Sequence, residues 1–207
     1  MMKIGRRGSM TAYFTVRGIQ GHSAYPHRAK NPLPVMAELI CDLTSFELDQ
    51  GSEHFDPSTL AVTTIDTGNL ANNVIPAESR ATVNIRFNDM HTSEELSVWL
   101  KEVTNKIASK SDVEINMEIQ VSGESFITAL GSFSDLVSNS VYSETGIYPQ
   151  ASTSGGTSDA RFVKDHCPVV EFGLVGKTMH QVDERVSVNH IHQLKAIYAN
   201  IIKNYFA

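Results

Sequence analysis

What this 207-residue chain has little of narrows its reading first. It carries two cysteines, Cys41 and Cys167, far apart and without Cys-x-x-Cys spacing. That excludes a disulfide-stapled secreted scaffold and a cysteine zinc ribbon. Both are expected to be reduced core thiols, Cys41 on a helix face and Cys167 ahead of a buried strand. Long apolar runs are missing, so no segment has the length of a membrane span. Basic residues are outnumbered: 17 Lys and Arg against 23 Asp and Glu leave a formal charge of −6. A nucleic-acid binder would present a basic stripe instead. The opening Met1-Met2-Lys3-Ile4-Gly5-Arg6-Arg7 has two arginines with no apolar segment after them, and is expected not to be a signal peptide. Repeats and low-complexity stretches are absent. What remains is an ordinary globular composition, 41% hydrophobic and 19% charged, long enough for one large domain or two small ones.

Periodicity divides the chain in two. Residues 9–17 alternate, with Ala12, Phe14 and Val16 on one face, which predicts a strand. Asn31-Pro32-Leu33-Pro34 opens a helix, because proline fits the first turn. Val35, Met36, Leu39, Ile40 and Leu43 then recur at helical spacing. Residues 59–66 read as a strand. Ala81, Val83, Ile85 and Phe87 alternate with Thr82, Asn84 and Arg86 in another. Thr92 and Glu95 form a capping-box pattern ahead of Leu96, Trp99, Leu100, Val103 and Ile107. Val113, Ile115, Met117, Ile119 and Val121 close the series as a strand. The order β-α-β-β-α-β over residues 9–121 predicts an α+β domain, an antiparallel sheet with two helices on one face.

Residues 122–207 differ. A helix is predicted over 133–145, a short strand over 148–153, a short helix over 158–165, a buried strand over 168–172 and a last helix from about Ser187. This alternation predicts the C-terminal portion of an α/β domain with two parallel strands. Residues 1–8 read as a connector.

Several strings carry chemistry. Gly18-Ile19-Gln20-Gly21-His22-Ser23-Ala24-Tyr25-Pro26-His27 follows the first strand, and its glycines permit a tight turn presenting His22. A histidine beside Tyr25 can polarise a carbonyl or stabilise an oxyanion; a lone loop histidine is otherwise a surface or structural residue. Asn72, in Asn69-Leu70-Ala71-Asn72-Asn73-Val74-Ile75-Pro76-Ala77-Glu78, either satisfies its turn or donates an amide to a substrate oxygen. Arg86 is a solvated strand arginine or a carboxylate clamp. Arg6, in Gly5-Arg6-Arg7-Gly8-Ser9, belongs to a basic turn or a carboxylate grip. Thr157 follows Gly155-Gly156, where backbone amides ahead of a short helix can hold an anion. No lysine follows those glycines, so this is not a phosphate loop.

His180 sits in Thr178-Met179-His180-Gln181-Val182-Asp183-Glu184 and has the look of a metal ligand. A two-ion centre needs several further His and carboxylate ligands and a carboxylate base, which the sequence does not display. His190 and His192 stand at i, i+2 on the last helix and point apart. His27, His54, His91 and His166 show no ligand spacing.

Together, the strings at 5–9, 18–27, 72–78, 157–162, 169–173 and 178–184 resemble the aminoacylase/carboxypeptidase family of two-zinc amidohydrolases, over essentially the whole chain. Within that family they resemble the members that remove the succinyl group of N-succinyl-diaminopimelate, on the route to lysine and cell-wall peptide. The resemblance implies a cytoplasmic bacterial homodimer joined through residues 9–121, which act as a lid. It implies two zinc ions per site in the complete enzyme, with His180 as a ligand. His22 and Asn72 would reach into the partner's site and hold the amide oxygen as it becomes an oxyanion. Arg6 and Thr157 would hold the succinyl carboxylate, and Tyr25 and Arg86 the diaminopimelate part. Gly176 departs from relatives that offer a polar side chain there.

The family's His-x-Asp motif, bridging Asp, Glu-Glu pair and further acidic ligand fall before the position of Met1. The chain alone is therefore expected to be inactive, a lid plus the C-terminal part of a metallohydrolase domain. Two other readings share these residues. One is a related zinc deacetylase or aminopeptidase with the same lid; the other is a stand-alone dimerisation or binding module without catalysis. The pairing of Arg6 with Thr157 favours an acyl group that bears a carboxylate.

Overall fold

A computed structural model describes residues 1–207. In chain order the elements are β1 (Met2–Lys3), β2 (Gly5–Arg6), β3 (Gly8–Arg17), β4 (Gly21–His22), α1 (Pro32–Ser45), β5 (Thr59–Asp66), β6 (Val74–Ile75), β7 (Glu78–Phe87), α2 (Ser93–Ala108), β8 (Glu114–Gly123), β9 (Phe126–Ile127), α3 (Ser132–Thr145), β10 (Ala151–Ser152), α4 (Ala160–Val163) and α5 (Val188–Tyr205). No helix is long and apolar enough to cross a membrane. The chain forms two compact units, Arg7–Phe126 on one hand and Met1–Arg6 with Ile127–Ala207 on the other.

The Arg7–Phe126 unit is built on a four-stranded sheet of order β5-β7-β3-β8. Every neighbouring pair is antiparallel. Alternation decides which face is buried. Met10, Ala12, Phe14 and Val16 of β3 and Ala81, Val83, Ile85 and Phe87 of β7 all point into one core. Register sets large residues against small ones, with Phe14 opposite Ala81 and Ala12 opposite Val83. Both helices cover this face through Met36, Leu39 and Leu43 of α1 and Leu96, Leu100 and Ile107 of α2. The opposite face carries Thr11, Thr82, Asn84 and Arg86.

Local chemistry starts each helix. The Asn31 side chain accepts from the Leu33 amide at 3.1 Å, ahead of α1. Thr92 Oγ1 accepts from the Glu95 amide at 3.2 Å while the Glu95 carboxylate accepts from the Thr92 amide at 2.9 Å, a closed capping box. The loop between α1 and β5 is held by Asp49, whose side chain is 2% exposed. Its carboxylate accepts from the amides of Gly51 at 2.7 Å and Ser58 at 3.1 Å, from Asn88 Nδ2 at 2.7 Å and from His91 Nε2 at 3.1 Å. Four donors on one buried carboxylate satisfy it almost completely.

The second unit has less regular structure. Helices α3 and α5 contribute Val137, Val141 and Ile197 to a core completed by Met2 and Ile4. Helix α3 ends at Gly146, whose φ of +69° places it in the left-handed region; its N–H donates to the Tyr142 carbonyl. Residues 1–8 are therefore not simply a connector. Strand β1 pairs in parallel with β10, Met2 opposite Ala151, and burial of Met2 and Ile4 anchors it. Residues 168–172 do not form a strand. They make one antiparallel bridge, Lys3 to Glu171, because the chain turns away after a single exchange of backbone hydrogen bonds.

Both cysteines are free and exposed rather than in the core. On α1, Met36, Leu39 and Leu43 define the buried face, and Cys41 lies two residues from Leu39, on the opposite side. Cys167 is exposed because the segment after it is not a buried strand.

Candidate functional site

The candidate residues fall into two groups, one in each unit. In the Arg7–Phe126 unit, β3 ends into Gly18, where a Cβ would stand 1.9 Å from the Lys30 carbonyl oxygen. Only glycine fits this close approach. Ile19 and Lys30 then exchange backbone hydrogen bonds of 2.9 Å. Beyond them β4 pairs with β6, placing His22 opposite Val74. The Ser23 amide donates to the Asn73 carbonyl at 2.9 Å. These backbone bonds tie the His22 loop to the Asn72 turn.

His22 is exposed, and its Nδ1 accepts from the Ala24 amide at 3.0 Å. That bond leaves the proton of the neutral ring on Nε2, which becomes an outward donor. The Tyr25 ring stands edge-on at 5.9 Å from the His22 ring, and the Arg28 guanidinium lies 5.1 Å over Tyr25. The turn before β6 is satisfied by a different asparagine from the one singled out. Asn69 Nδ2 donates to the Val74 carbonyl at 2.9 Å and Asn69 Oδ1 accepts from the Ala71 amide at 3.1 Å. Asn72 is exposed and takes no part in those bonds.

Arg86 is not with them. It sits on β7 opposite Ser9, whereas Glu78, at the β6 end, sits opposite Arg17. Eight residues of extended strand separate those positions, roughly 26 Å. Arg86 Nε donates to Asn84 Oδ1 at 3.0 Å, and no carboxylate pairs with it.

The second group gathers on the 152–158 segment. Arg6 Nε donates to Glu171 Oε1 at 3.1 Å, Nη2 donates to Glu171 Oε2, and Nη1 donates to the Ser154 carbonyl at 3.2 Å. Gly155 has φ +106°, and a Cβ there would meet Arg6 Nη1 at 2.6 Å. Ser158 donates its hydroxyl to Glu171 Oε1. Lys3 Nζ donates to the hydroxyls of Ser152 at 2.9 Å and Ser154 at 2.6 Å. Thr157 Oγ1 accepts from Arg161 Nη1 at 3.0 Å. Arg161 Nε is buried without a partner. Its position within the 157–162 string was the available signal, but nothing in arginine spacing marked it. Helix α4 is a single turn, so its terminus offers no anion site of its own and the polar groups here are side chains.

Electrostatics follow from this packing. Burial works to raise the Glu171 carboxyl, yet the hydrogen bonds from Arg6 and Ser158 and the charges of Arg6 and Lys3 outweigh it, holding it below the ordinary glutamate value. Burial, followed by the charge of Arg6, lowers Lys3, against an upward pull from Glu171. Lys3 and Arg6, two cations, act on one carboxylate, an arrangement that can take a further anion.

His180 has φ +63° and Asp183 φ +61°. Left-handed backbone at histidine is uncommon and often marks a functional turn. The loop is closed by Thr178 Oγ1, which accepts from the Arg185 amide and donates to its carbonyl, both at 3.0 Å. At Gly176 an added Cβ would meet only the flexible Met179 side chain, at 3.0 Å. A two-ion metal centre does not fit the residues present. No three His, Cys, Asp or Glu side chains group to hold an ion, and one imidazole cannot ligate two.

Comparison with known proteins follows this geometry. Over 207 residues the chain is 65% identical to succinyl-diaminopimelate desuccinylase from Ruegeria pomeroyi, covering all of this chain and 54% of that one. It is 67% identical over 206 residues to the enzyme of that name from Cereibacter sphaeroides, again covering all of this chain and 54% of the relative. The chain thus spans about half the length of the curated relatives it matches. Among solved structures, a tripeptidase from Staphylococcus aureus has a TM-score of 0.81 at 20% identity, over 98% of this chain and 52% of that one. An M20 family metallo-carboxypeptidase from Sulfolobus solfataricus has a TM-score of 0.78 at 14% identity, over 98% of this chain and 59% of that one. These structures share the fold. Residues 4–112, more than half of the chain, match the M20-type peptidase dimerisation domain, and the chain belongs to that family.

Proposed function

We propose that these residues supply the substrate-gripping and dimer-forming part of a metal-dependent amidohydrolase that converts N-succinyl-diaminopimelate to succinate and diaminopimelate. The observation that carries the reading is 65% identity, over the whole chain, to an enzyme of that name. The geometry supports it. Arg6, Thr157 and Arg161 form a cationic cradle for the succinyl carboxylate. His22 Nε2–H and the Asn72 amide are free donors for the amide oxygen as negative charge develops on it. Tyr25 and Arg86 contact the diaminopimelate part.

His22 lies beyond the Arg17–Glu78 end of the four-stranded sheet and Arg86 near its other end, too far apart for one small substrate to bridge within a subunit. We therefore propose a homodimer in which Arg7–Phe126 acts as a lid, and His22, Tyr25 and Asn72 serve the site that holds the partner's Arg6. The proposed metal is zinc and His180 one of its ligands, in the bacterial cytoplasm. With one imidazole and no ligand cluster, this chain alone is expected not to turn over substrate.

A related deacetylase or aminopeptidase is the second reading, since the solved relatives named above are peptidases. The cationic cradle favours an acyl group ending in a carboxylate. A chimaera separates the two: the matching 54% of the Ruegeria pomeroyi enzyme is replaced by this chain and assayed with succinyl and acetyl diaminopimelate. The succinyl compound should be preferred by at least about 100-fold in kcat/KM, because the acetyl analogue offers no carboxylate to the remaining Arg6 N–H donors. Equal rates, or preference for the acetyl compound, would reject the desuccinylase reading.

A further inference from the structure

We propose that Glu171 is a positioning residue that holds the Arg6 guanidinium in one orientation and keeps one N–H on each of its terminal nitrogens free for a substrate carboxylate. The inference rests on the carboxylate reading of Arg6 given above. Arginine has five N–H donors in a rigid plane. Glu171 takes the Nε–H and one Nη2–H, and the Ser154 carbonyl takes one Nη1–H. One hydrogen remains on each Nη, and Gly155 keeps the space beside Nη1 clear.

A carboxylate beside a carboxylate-binding arginine looks self-defeating on charge alone. Charge counting removes the difficulty, because two cations, Arg6 and Lys3, act on the single Glu171 carboxylate and leave a net positive charge after it has paired. Glu171 is itself held by the Ser158 hydroxyl and by the backbone bridge to Lys3. The Arg6 and Glu171 side chains are 15% and 27% exposed, so the pair is fixed more firmly than a surface ion pair. Glu171 lies ionised at neutral pH for the reasons given above. In its absence Arg6 would rotate among several acceptors, and a substrate would have to order it on binding.

The test uses the 207-residue chain and succinate as probe. Glu171→Gln keeps size and shape but removes the charge and the bidentate acceptor. The Arg6 Nε–H resonance, assigned by its loss in Arg6→Lys, should exchange slowly in wild type and fast in Glu171→Gln, with backbone amide signals elsewhere unchanged. Succinate affinity should fall about tenfold, the cost of one well-oriented charge-assisted contact. Glu171→Asp, which keeps the charge, should recover part of it. If Glu171→Gln disturbs folding, Ser158→Ala loosens Glu171 alone and should weaken succinate binding about threefold. Succinate affinity equal to wild type in the folded variants overturns the positioning role alone. Absence of succinate binding by wild type overturns the proposed function, and the role with it.

Discussion

At the scale of single residues, donors count for more than motifs. His22 has its tautomer set by the Ala24 amide, and Asn72 is spared from its turn by Asn69. In the chimaera, His22→Ala and Asn72→Ala should each lower kcat by roughly 10²- to 10³-fold, as lost oxyanion donors do. Metal content should stay unchanged, whereas His180→Ala should lose metal; metal analysis of the purified variants checks this. Asp49 is the residue to watch for stability. Hydrogen bonds from Ser58, Gly51 and Asn88 overcome the upward push of burial and hold its carboxyl below the ordinary aspartate value. A depressed folded value stabilises the fold above the unfolded pKa of about 3.9, and that stability is lost as pH falls through the folded value. Acid denaturation of Asp49→Asn should therefore be flatter than wild type below about pH 4, with stability near neutrality lower by about 2–3 kcal/mol. An unchanged acid limb would mean the four donors do not hold an ionised carboxylate. None of this was legible in sequence, because Asp49, Ser58, Asn88 and His91 are brought together by folding and share no spacing.

Among elements, legibility followed length. Strands β3 and β7 and helices α1 and α2 are long enough for their apolar periods to declare themselves, and the Thr92–Glu95 box marks a helix start by local chemistry alone. Strand β1 has two residues; Met2 within it and Ile4 just after it gain meaning only against α3 and α5, so the segment reads as part of a connector. Residues 168–172 have the composition of a buried strand yet make one bridge, since composition reports burial and not pairing. The same lesson holds for Cys41, whose helix was legible while its face had to be read from Leu39 and Leu43. Packing predicts unequal costs on the two faces of β3. Phe14→Ala should lower stability by about 3–5 kcal/mol through lost burial and a cavity. Tyr13→Ala, one position away on the open face, should cost less than about 1 kcal/mol. Urea denaturation of both variants gives the comparison, and similar costs would contradict the assignment of faces.

For the whole molecule, the sequence carried the motifs but not their spatial sorting. The strings bearing His22, Asn72 and Arg86 all lie in one unit, and only the register of β3 with β7 shows that Arg86 lies about 26 Å along the sheet from the end that carries the other two. That separation is the physical ground on which the shared site is proposed. The most direct measurement uses a heterodimer of the chimaeric enzyme, one subunit carrying His22→Ala and the other Arg6→Ala. If His22 acts across the interface, one site keeps its own Arg6 and the partner subunit's His22, and the heterodimer should retain about half of wild-type activity, one intact site of two. If His22 serves its own subunit, both sites are damaged, and near-zero activity would contradict the shared site.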